Sequence, residues 1–296
     1  MKTVGFIGFG EAARAITDGW AEAGLAGVRA AFDIKTLNGN EADAVARACT
    51  ARNVLCTSSC AEISERSDVI FSLVTADNAL AAAEAAAPSL KPGTLYLDGN
   101  SCSPGTKRRA AGLIGDTGGR YVDVAIMSPI FPKRHKTPCL VSGPDGAEAA
   151  EAMADLGMNV TVVGPEIGDA SSIKMIRSVM IKGTEALMAE CFLAAEKAGV
   201  SAQVLASLAA SDPAIDWPAK AGYCLERMMV HGNRRAAEMR EVAATLDDLG
   251  LAPRMSAAAA EWQAAIGNLA IRTVEDGFAG RVAQILEAAD QDRGAD

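Results

Sequence analysis

The sequence predicts two domains: a doubly wound α/β domain with a mostly parallel sheet, and an all-α domain that follows it. Short apolar segments alternate with helical segments up to about residue 165. Beyond that point every segment has helical periodicity. A succession of β, α and β segments requires crossover helices, which cover both faces of a parallel sheet. We therefore assign residues 1–165 to the α/β domain and residues 166–296 to the all-α domain.

The elements of the first domain follow from short apolar runs and from turn residues. Residues 68–74 form a run too continuously apolar to be half exposed, so it belongs inside the sheet. Ser103 and Pro104 form an N-cap and a first-turn proline, and they open a helix that extends through Leu113. The other predicted strands are residues 2–7, 28–33, 94–98, 120–125, 139–142 and 160–163, and further helices lie near residues 41–51, 61–66, 78–87 and 146–156.

The second domain begins with one long interdomain helix. Residues 169–198 have helical periodicity without proline, a length of roughly 45 Å at about 1.5 Å per residue, and Gly199 ends the run. Later helices are predicted near residues 201–210, 218–231, 235–249, 255–268 and 278–288. The breaks between them are placed at Asp212-Pro213, at His231-Gly232-Asn233 and at Leu251-Ala252-Pro253.

The first strand runs directly into Gly8-x-Gly10-x-x-Ala13, the glycine fingerprint of a Rossmann domain. Gly8 permits the tight turn, Gly10 lets a pyrophosphate approach the backbone, and Ala13 lets the new helix pack closely on the strand. We therefore expect a dinucleotide here. The residues expected to contact it are Gly8, Phe9, Gly10, Glu11 and Ala12. The alternative is an ordinary strand–turn–helix in which the glycines serve packing only.

A carboxylate at the end of the second strand bears on cofactor choice. Asp33 can accept hydrogen bonds from both hydroxyls of an adenosine ribose and would repel a 2′-phosphate, which favours NAD over NADP. NADP is not excluded, because Lys35 could offer a phosphate a counter-charge. Asp33 could instead cap the turn that follows it.

Composition indicates a globular enzyme and argues against other classes. The chain has 296 residues, of which 50% are hydrophobic, and 28 basic residues face 37 acidic ones, so the net charge of −9 argues against nucleic-acid binding. No apolar run is long enough to span a bilayer, and the first strand begins without a signal peptide, so we expect no membrane association and a cytoplasmic location. The seven cysteines are scattered and do not pair with the two histidines as zinc ligands, so no metal site is expected.

Three segments resemble the β-hydroxyacid dehydrogenases, the family that includes 6-phosphogluconate and 3-hydroxyisobutyrate dehydrogenases. The first is the glycine fingerprint. The second is residues 98–104, Asp-Gly-Asn-Ser-Cys-Ser-Pro, similar to the family's Asp-x-Ser-Thr-x-x-Pro. The third is residues 168–178, similar to Gly-x-x-x-x-x-Lys-x-x-x-Asn, which places Lys174 at the family's catalytic lysine. Residues 234–242 resemble the variant C-terminal domain of a less characterised branch.

The resemblance implies an NAD(P)-dependent oxidoreductase. Such an enzyme transfers a hydride between nicotinamide and a hydroxy acid or related alcohol, with Lys174 as general acid/base. It implies further cofactor contacts at Val74, Thr75, Asn100 and Glu238. The substrate contacts that follow from it are Asn100, Ser101, Met127, Ser128, Ser178 and His231. His231 is open to another role, as a helix-end or core histidine.

The chain departs from the family pattern at three places. The family's substrate loop, Asp-Ala-Pro-Val-Ser-Gly-Gly, reads Asp-Val-Ala-Ile-Met-Ser-Pro at residues 123–129, so the glycines that accept a small carboxylate are absent. Ser178 replaces the asparagine, and Glu238 and Met239 stand where the family has a lysine. We therefore expect a pocket shaped for a substrate other than 3-hydroxyisobutyrate or tartronate semialdehyde.

Lys174 also has support from its position. It lies early in the long helix, one turn before Ser178, and apolar neighbours would bury it partly and suit it to proton exchange. The alternative is a lysine on the wet face of the helix, the position we expect for Lys182 and Lys197.

Two alternatives to a dehydrogenase function stay open. Imine reductases on a similar scaffold typically have a different residue at the lysine position, which counts against that reading. A non-catalytic dinucleotide-binding module is the alternative from another class. The apolar helices of the second domain predict a homodimer.

Overall fold

The computed structural model describes residues 3–25, 27 and 29–293, and the chain forms two compact units, Met1–Met175 and Ile176–Asp296. The sequence places the domain boundary at residue 166, at the start of the long helix. The compact units divide inside that helix, whose first turns are hydrogen-bonded to the sheet: the Ser171 N–H and hydroxyl both donate to Asp123. The domain boundary at residue 166 stays a prediction.

The first unit is built on a sheet with helices on both sides. Its strands are β1 (Val4–Ile7), β2 (Arg29–Phe32), β3 (Leu55–Cys56), β4 (Val69–Ser72), β5 (Leu95–Asp98), β6 (Arg120–Ile126), β7 (Cys139–Ser142) and β8 (Val160–Gly164). Its helices are α1 (Glu11–Glu22), α2 (Gly39–Thr50), α3 (Cys60–Arg66), α4 (Ala79–Ala86), α5 (Pro104–Gly115) and α6 (Gly146–Asp155). In the part of the chain that is described, the strands form one eight-stranded sheet in the order β3-β2-β1-β4-β5-β6-β7-β8.

This sheet confirms the predicted doubly wound, mostly parallel architecture. Neighbouring strands are parallel except for β6 and β7, which are antiparallel. The strand order reverses between β1 and β4, since β2 lies on the other side of β1 and β5 on the other side of β4. At such a switch point the loops after the two central strands diverge, and a crevice opens at the carboxyl edge of the sheet.

Alternating side chains of the strands supply the cores on the two faces. On one face Phe6 stacks on Phe71 with ring centroids 5.8 Å apart, and Trp20 of α1 packs on both rings. On the other face Tyr96 stacks on Tyr121 at 5.9 Å. Residues of a strand point alternately to the two faces, so each apolar strand serves both cores, as its continuous apolar run predicts.

Most predicted elements of this unit agree with the structure within a few residues. The first and second strands are shorter than predicted, and Lys2 and Val28 lie outside the described residues. Strand β3 was not predicted, because two residues are too few to show a period. Ser103 caps α5 as expected, and its hydroxyl accepts the Thr106 N–H at 3.2 Å.

The second unit is helical, as predicted. Helix α7 (Asp169–Lys197) begins in the first unit and continues into the second. It is followed by α8 (Ser201–Ser211), α9 (Trp217–Asp248), α10 (Arg254–Asn268) and α11 (Gly277–Arg293). No helix within the described ranges is both long enough and apolar enough to cross a membrane.

The predicted break at His231-Gly232-Asn233 is wrong, because α9 continues through it. A Cβ on Gly232 would lie 2.4 Å from the Gln263 carbonyl oxygen and 2.7 Å from the Gly267 Cα, both in α10. A Cβ on Gly267 would in turn lie 2.5 Å from the Asn233 nitrogen. Gly232 therefore permits a close crossing of two helices. In the sequence, a glycine with this role looks the same as one that breaks a helix.

Candidate active site

The glycine turn after β1 has the geometry that a dinucleotide requires. Gly8 has φ +86°, and a Cβ there would lie 2.5 Å from the Leu73 carbonyl oxygen, so only glycine fits. Gly10 is the N-cap of α1 and caps it with no side chain, and a Cβ on Gly10 would meet nothing within 4 Å. The backbone at Gly10 is therefore unobstructed at the start of α1, the end of a helix where a pyrophosphate can bind.

The neighbours of these glycines have different environments. The Phe9 ring is fully buried and packs on Phe6 with centroids 5.9 Å apart, so any contact of Phe9 with a cofactor would come from its backbone. Glu11 is exposed and Ala12 is partly buried. The predicted contacts of Phe9, Glu11 and Ala12 with a cofactor stay predictions.

Asp33 connects the end of β2 to the glycine turn. Its Oδ2 accepts the Phe9 N–H at 2.8 Å, and its Oδ1 accepts the Lys35 N–H at 3.0 Å. Asp33 therefore caps the following turn, the alternative role considered for it. Each carboxylate oxygen keeps a second lone pair that a ribose hydroxyl could use. The Lys35 ammonium pairs with Glu41 at 2.8 Å, and this hydrogen bond and charge raise the pKa of Lys35.

Asn100 joins the loops after β4 and β5. Its Oδ1 accepts the Val74 N–H at 2.7 Å, and its Nδ2 donates to the Ser72 hydroxyl at 3.0 Å. The Asn100 side chain is buried, so its amide fixes the two loops relative to each other. Thr75 is exposed, and its hydroxyl accepts a hydrogen bond from Asn78 at 2.8 Å.

Lys174 lies at the carboxyl edge of the sheet beside the loop that follows β5. Its Nζ donates to the Ser101 hydroxyl at 2.7 Å, and both residues are partly buried. Burial raises the pKa of the Cys139 thiol to about 11, and the Lys174 charge acts in the opposite direction. Lys174 is therefore partly buried and bonded to the loop after β5, rather than placed on a wet helix face.

The β6–β7 loop carries Met127 and Ser128, both half-buried. The Met127 N–H donates to the Pro138 carbonyl at 2.9 Å, and the Ser128 hydroxyl donates to the Pro129 carbonyl at 3.3 Å. These bonds hold the loop that replaces the family's glycine-rich substrate loop. Their predicted contact with a substrate stays a prediction.

A buried charged cluster beneath this edge was not foreseen from the sequence. Asp98, Lys107 and Asp123 are each about 1% exposed or less, and the Lys107 ammonium lies 3.1 Å from Asp98 and 3.4 Å from Asp123. Lys107 precedes Arg108 and Arg109, so the run resembles a solvated basic face. The two aspartates in neighbouring strands were the signal that could have predicted it.

The second unit holds another buried pair. Lys182 of α7 lies 2.9 Å from Glu238 of α9, and its ammonium donates to the Ser178 hydroxyl at 3.2 Å. The expectation that Lys182 lies on the wet face is wrong, because it is 5% exposed. Lys197, in contrast, has a half-exposed side chain. Ser178 and Glu238, predicted for substrate and cofactor, are thus both bonded to Lys182.

His231 lies in the middle of α9, so it does not end a helix. Burial first, and then the charges of Arg227, Arg234 and Arg235, together lower the pKa of His231 to about 4. The imidazole is therefore neutral at pH 7. Nearby, Arg235 donates to Glu185 through two nitrogens, and Gln263 donates to the same carboxylate at 2.7 Å. No pattern in the sequence indicated this second cluster.

Two family models match the chain. Residues 3–99 match the NADP oxidoreductase family described as coenzyme F420-dependent, and residues 195–266 match a domain of unknown function, DUF1932. The first match covers β1 to β5, and the second covers the end of α7 through most of α10.

Solved structures resemble the whole chain. A conserved hypothetical protein from Sinorhizobium meliloti 1021 is 40% identical, with 97% of each chain covered and a TM-score of 0.74. The conserved protein MTH1747, of unknown function and described as similar to 3-hydroxyacid dehydrogenases, is 31% identical over 88% of this chain and 96% of its own, with a TM-score of 0.66. The Mycobacterium tuberculosis 3-hydroxyisobutyrate dehydrogenase, at 17% identity, shares the fold over 96% of this chain and 99% of its own, with a TM-score of 0.71.

These similarities agree with the two-unit fold and with the match of the C-terminal helices to a separate domain family. The resemblance seen in the sequence is confirmed. The chain belongs to the 3-hydroxyacid dehydrogenase-like family, in a branch with a variant C-terminal domain.

Proposed function

We propose that the chain is an NAD(P)-dependent oxidoreductase that moves a hydride between nicotinamide and the carbinol carbon of a hydroxy acid or related alcohol. The observation that carries the proposal is the Lys174–Ser101 hydrogen bond of 2.7 Å at the carboxyl edge of the sheet. The dinucleotide fingerprint and the hydroxyacid dehydrogenases among its relatives support the same class.

The residues that would hold the dinucleotide are those of the switch point. The N-terminus of α1 would bind the pyrophosphate, and Gly8 lets the turn pass against Leu73. The loop after β4, fixed to Asn100 through the Val74 N–H, borders the same crevice. When bound, the nicotinamide supplies or accepts the hydride.

Lys174 would exchange the proton that accompanies hydride transfer. The oxygen of an alcohol loses a proton as its carbon loses hydride, and a carbonyl oxygen gains one in the reverse direction. An ammonium or amine within hydrogen-bond reach of that oxygen raises the reaction rate by about 10²–10⁴-fold. The Ser101 hydroxyl, which accepts from Lys174, holds the ammonium in place and is itself available to the substrate oxygen.

The surroundings of Asp33 favour NAD. Its carboxylate stands at the end of β2, where it would meet the ribose diol and repel a 2′-phosphate. The Lys35 side chain, the candidate counter-charge for that phosphate, is engaged with Glu41. Lys35 and Glu41 are both exposed, so their ion pair is weak. A direct comparison of NAD and NADP affinities tests the preference for NAD.

The substrate proposed is a hydroxy acid or alcohol different from the small acids of the well-known relatives. Ile126, Met127 and Ser128 replace the family's glycine-rich loop. In the second unit, Ser178 and Glu238 both bond to Lys182, so a ligand would have to compete with Lys182 or bond to their remaining lone pairs. His231 would act as a neutral hydrogen-bonding group, because its pKa lies near 4.

We also propose that the chain forms a homodimer through its helical unit. Large apolar side chains of α7 are exposed, among them Ile176 at 50%, Met180 at 71% and Leu187 at 55%. Their spacing of four and seven residues places them along one side of the helix. A contiguous apolar stripe of this kind is what an interface between copies buries.

A spectrophotometric screen tests the proposed function. Hydroxy acids, sugar-derived and aromatic alcohols, and aldehydes are offered with each nicotinamide cofactor. We expect turnover of at least one alcohol or its carbonyl partner. Turnover of cyclic imines but of no alcohol would overturn the reaction class, and nucleotide binding without any turnover would favour a non-catalytic module.

A further inference from the structure

The carboxylates of Asp98 and Asp123 are brought together by strand register. Asp98 ends β5 and is the direct partner of Asp123 on the parallel neighbour β6. Each lies two residues after a tyrosine of the stacked Tyr96–Tyr121 pair, so both point to the face covered by α5. Two buried carboxylates side by side repel each other unless a cation lies between them.

Lys107 is that cation. Its ammonium contacts Asp98 at 3.1 Å and Asp123 at 3.4 Å and donates to the Asp98 backbone carbonyl at 2.6 Å. Burial acts to lower the pKa of Lys107, but the two carboxylates more than offset it, and the net shift is upward. The lysine is therefore charged at neutral pH, and we call Asp98, Lys107 and Asp123 the buried triad.

Each carboxylate of the buried triad also holds one partner of the Lys174–Ser101 pair. Asp98 accepts the Asn100 N–H at 2.9 Å and the Tyr121 hydroxyl at 2.6 Å, which fixes the chain immediately before Ser101. Asp123 accepts the Ser171 hydroxyl at 2.6 Å and the Ser171 N–H at 2.9 Å. Ser171 lies one helical turn before Lys174, so Asp123 fixes the start of α7.

We propose that the buried triad positions Lys174 against Ser101 for the proposed reaction, with Asp98 acting on the Ser101 loop and Asp123 acting on the start of α7. This inference rests on the proposed function. Lys107 joins the two arms, because its ammonium bonds to both carboxylates. None of the three triad residues is solvent-accessible enough to touch a substrate, so they are positioning residues.

The consequence for rate comes from geometry. A displacement of a catalytic group by about 1 Å can cost about 10²-fold in rate, even when its cause lies away from the reacting atoms. Loss of one arm of the triad would shift α7 relative to the Ser101 loop. The cofactor crevice is held by other bonds, those of Asp33 with Phe9 and of Asn100 with Val74.

The test uses variants that remove single bonds. Ser171→Ala removes the hydroxyl bond to Asp123 and keeps the backbone bond, and Asp123→Asn removes the charge. Thr245→Val is the matched control, because it also removes a buried hydroxyl bond, in α9. The kcat and KM of each variant are measured, together with NAD affinity. Acetylation of Lys174 by acetic anhydride, relative to the half-exposed Lys197, is followed by mass spectrometry.

For Ser171→Ala and Asp123→Asn we expect kcat to fall by about 10- to 100-fold with unchanged NAD affinity, and acetylation of Lys174 to become faster. Thr245→Val should change neither. The acetylation rate reports how well the buried triad holds Lys174, and its measurement needs no substrate. Faster labelling of the variants, in a protein that turns over no alcohol, would support the positioning role of the buried triad and overturn the proposed function. If the Asp123→Asn protein does not fold, the test rests on Ser171→Ala. A folded Ser171→Ala with wild-type kcat and wild-type Lys174 labelling overturns the proposal.

Discussion

Gly232→Ala distinguishes a packing glycine from a helix-breaking one by the sign of its effect on stability. Alanine in the interior of a helix is favoured over glycine by about 1 kcal/mol, so at an ordinary helical position the change stabilises the fold. At Gly232 the new Cβ would lie 2.4 Å from the Gln263 carbonyl oxygen, where ordinary contacts begin at 3.4 Å. Helices α9 and α10 would therefore have to separate by about 1 Å at their crossing.

The size of the effect follows from these contacts. The three nearest atoms, at 2.4 to 2.8 Å, all belong to the α10 backbone, so no side-chain rotation relieves the overlap. Overpacking of this kind costs about 1–3 kcal/mol, and the absence of a flexible neighbour places the cost at the upper end. After subtraction of the helix-propensity gain, we expect the free energy of unfolding to fall by about 2 kcal/mol.

Gly222→Ala in the same helix is the matched control. Its Cβ would lie 3.5 Å from the nearest atoms, which is an ordinary contact, so we expect a gain of about 1 kcal/mol. Both variants are compared with the wild type by urea denaturation followed by far-ultraviolet circular dichroism. A Gly232→Ala protein as stable as Gly222→Ala would refute the close crossing of α9 and α10.

Three further predictions concern the cofactor, pH and assembly. Asp33→Ala should weaken NAD by about 1.5–3 kcal/mol and NADP by less, measured by titration calorimetry; tighter binding of NADP by the wild type would show that a cation governs the pocket. The folded pKa of His231, about 4, lies below its ordinary 6.5, so its contribution to stability is complete above pH 6.5 and is lost as pH falls toward 4. His231→Gln should flatten that part of the denaturation profile, and an unchanged slope would contradict this. Light scattering at micromolar concentration should give a dimer for the wild type and a monomer for Met180→Glu, and a wild-type monomer would remove the proposed interface.

The parts of the fold that were predictable are those with a repeated local signal. The glycine fingerprint has a fixed spacing, the β4 segment is a continuous apolar run, and the proline-free stretch of α7 repeats the helical period over many residues. The structure has β1, β4 and α7 within a few residues of their predicted bounds. Strand β3 has two residues and no period. The helix break predicted at Gly232 was wrong because a single glycine carries the same signal whether it ends a helix or lets a neighbouring helix approach.

The charged partners could not be predicted, because they depend on register between distant segments. Lys182 was expected on a solvated helix face, and Lys107 stands in a basic run with Arg108 and Arg109. Each is buried against carboxylates of another element. Their sequence neighbours do not contain this information, since Asp98 and Asp123 meet Lys107 only after β5 and β6 pair. Lys174 was found because a family motif of defined spacing supplied what the local pattern lacked.

The measurement that tests the central claim most directly is the kcat of Lys174→Met and Lys174→Arg, with a substrate from the screen and with NAD affinity measured in parallel. If Lys174 exchanges the proton of the substrate oxygen, both variants lose about 10²–10⁴-fold in kcat while NAD binds as in the wild type. Arginine keeps the charge but is too weak an acid to give up a proton near neutrality. A Lys174→Arg protein with near-wild-type kcat would contradict the account, because it would reduce Lys174 to an electrostatic anchor.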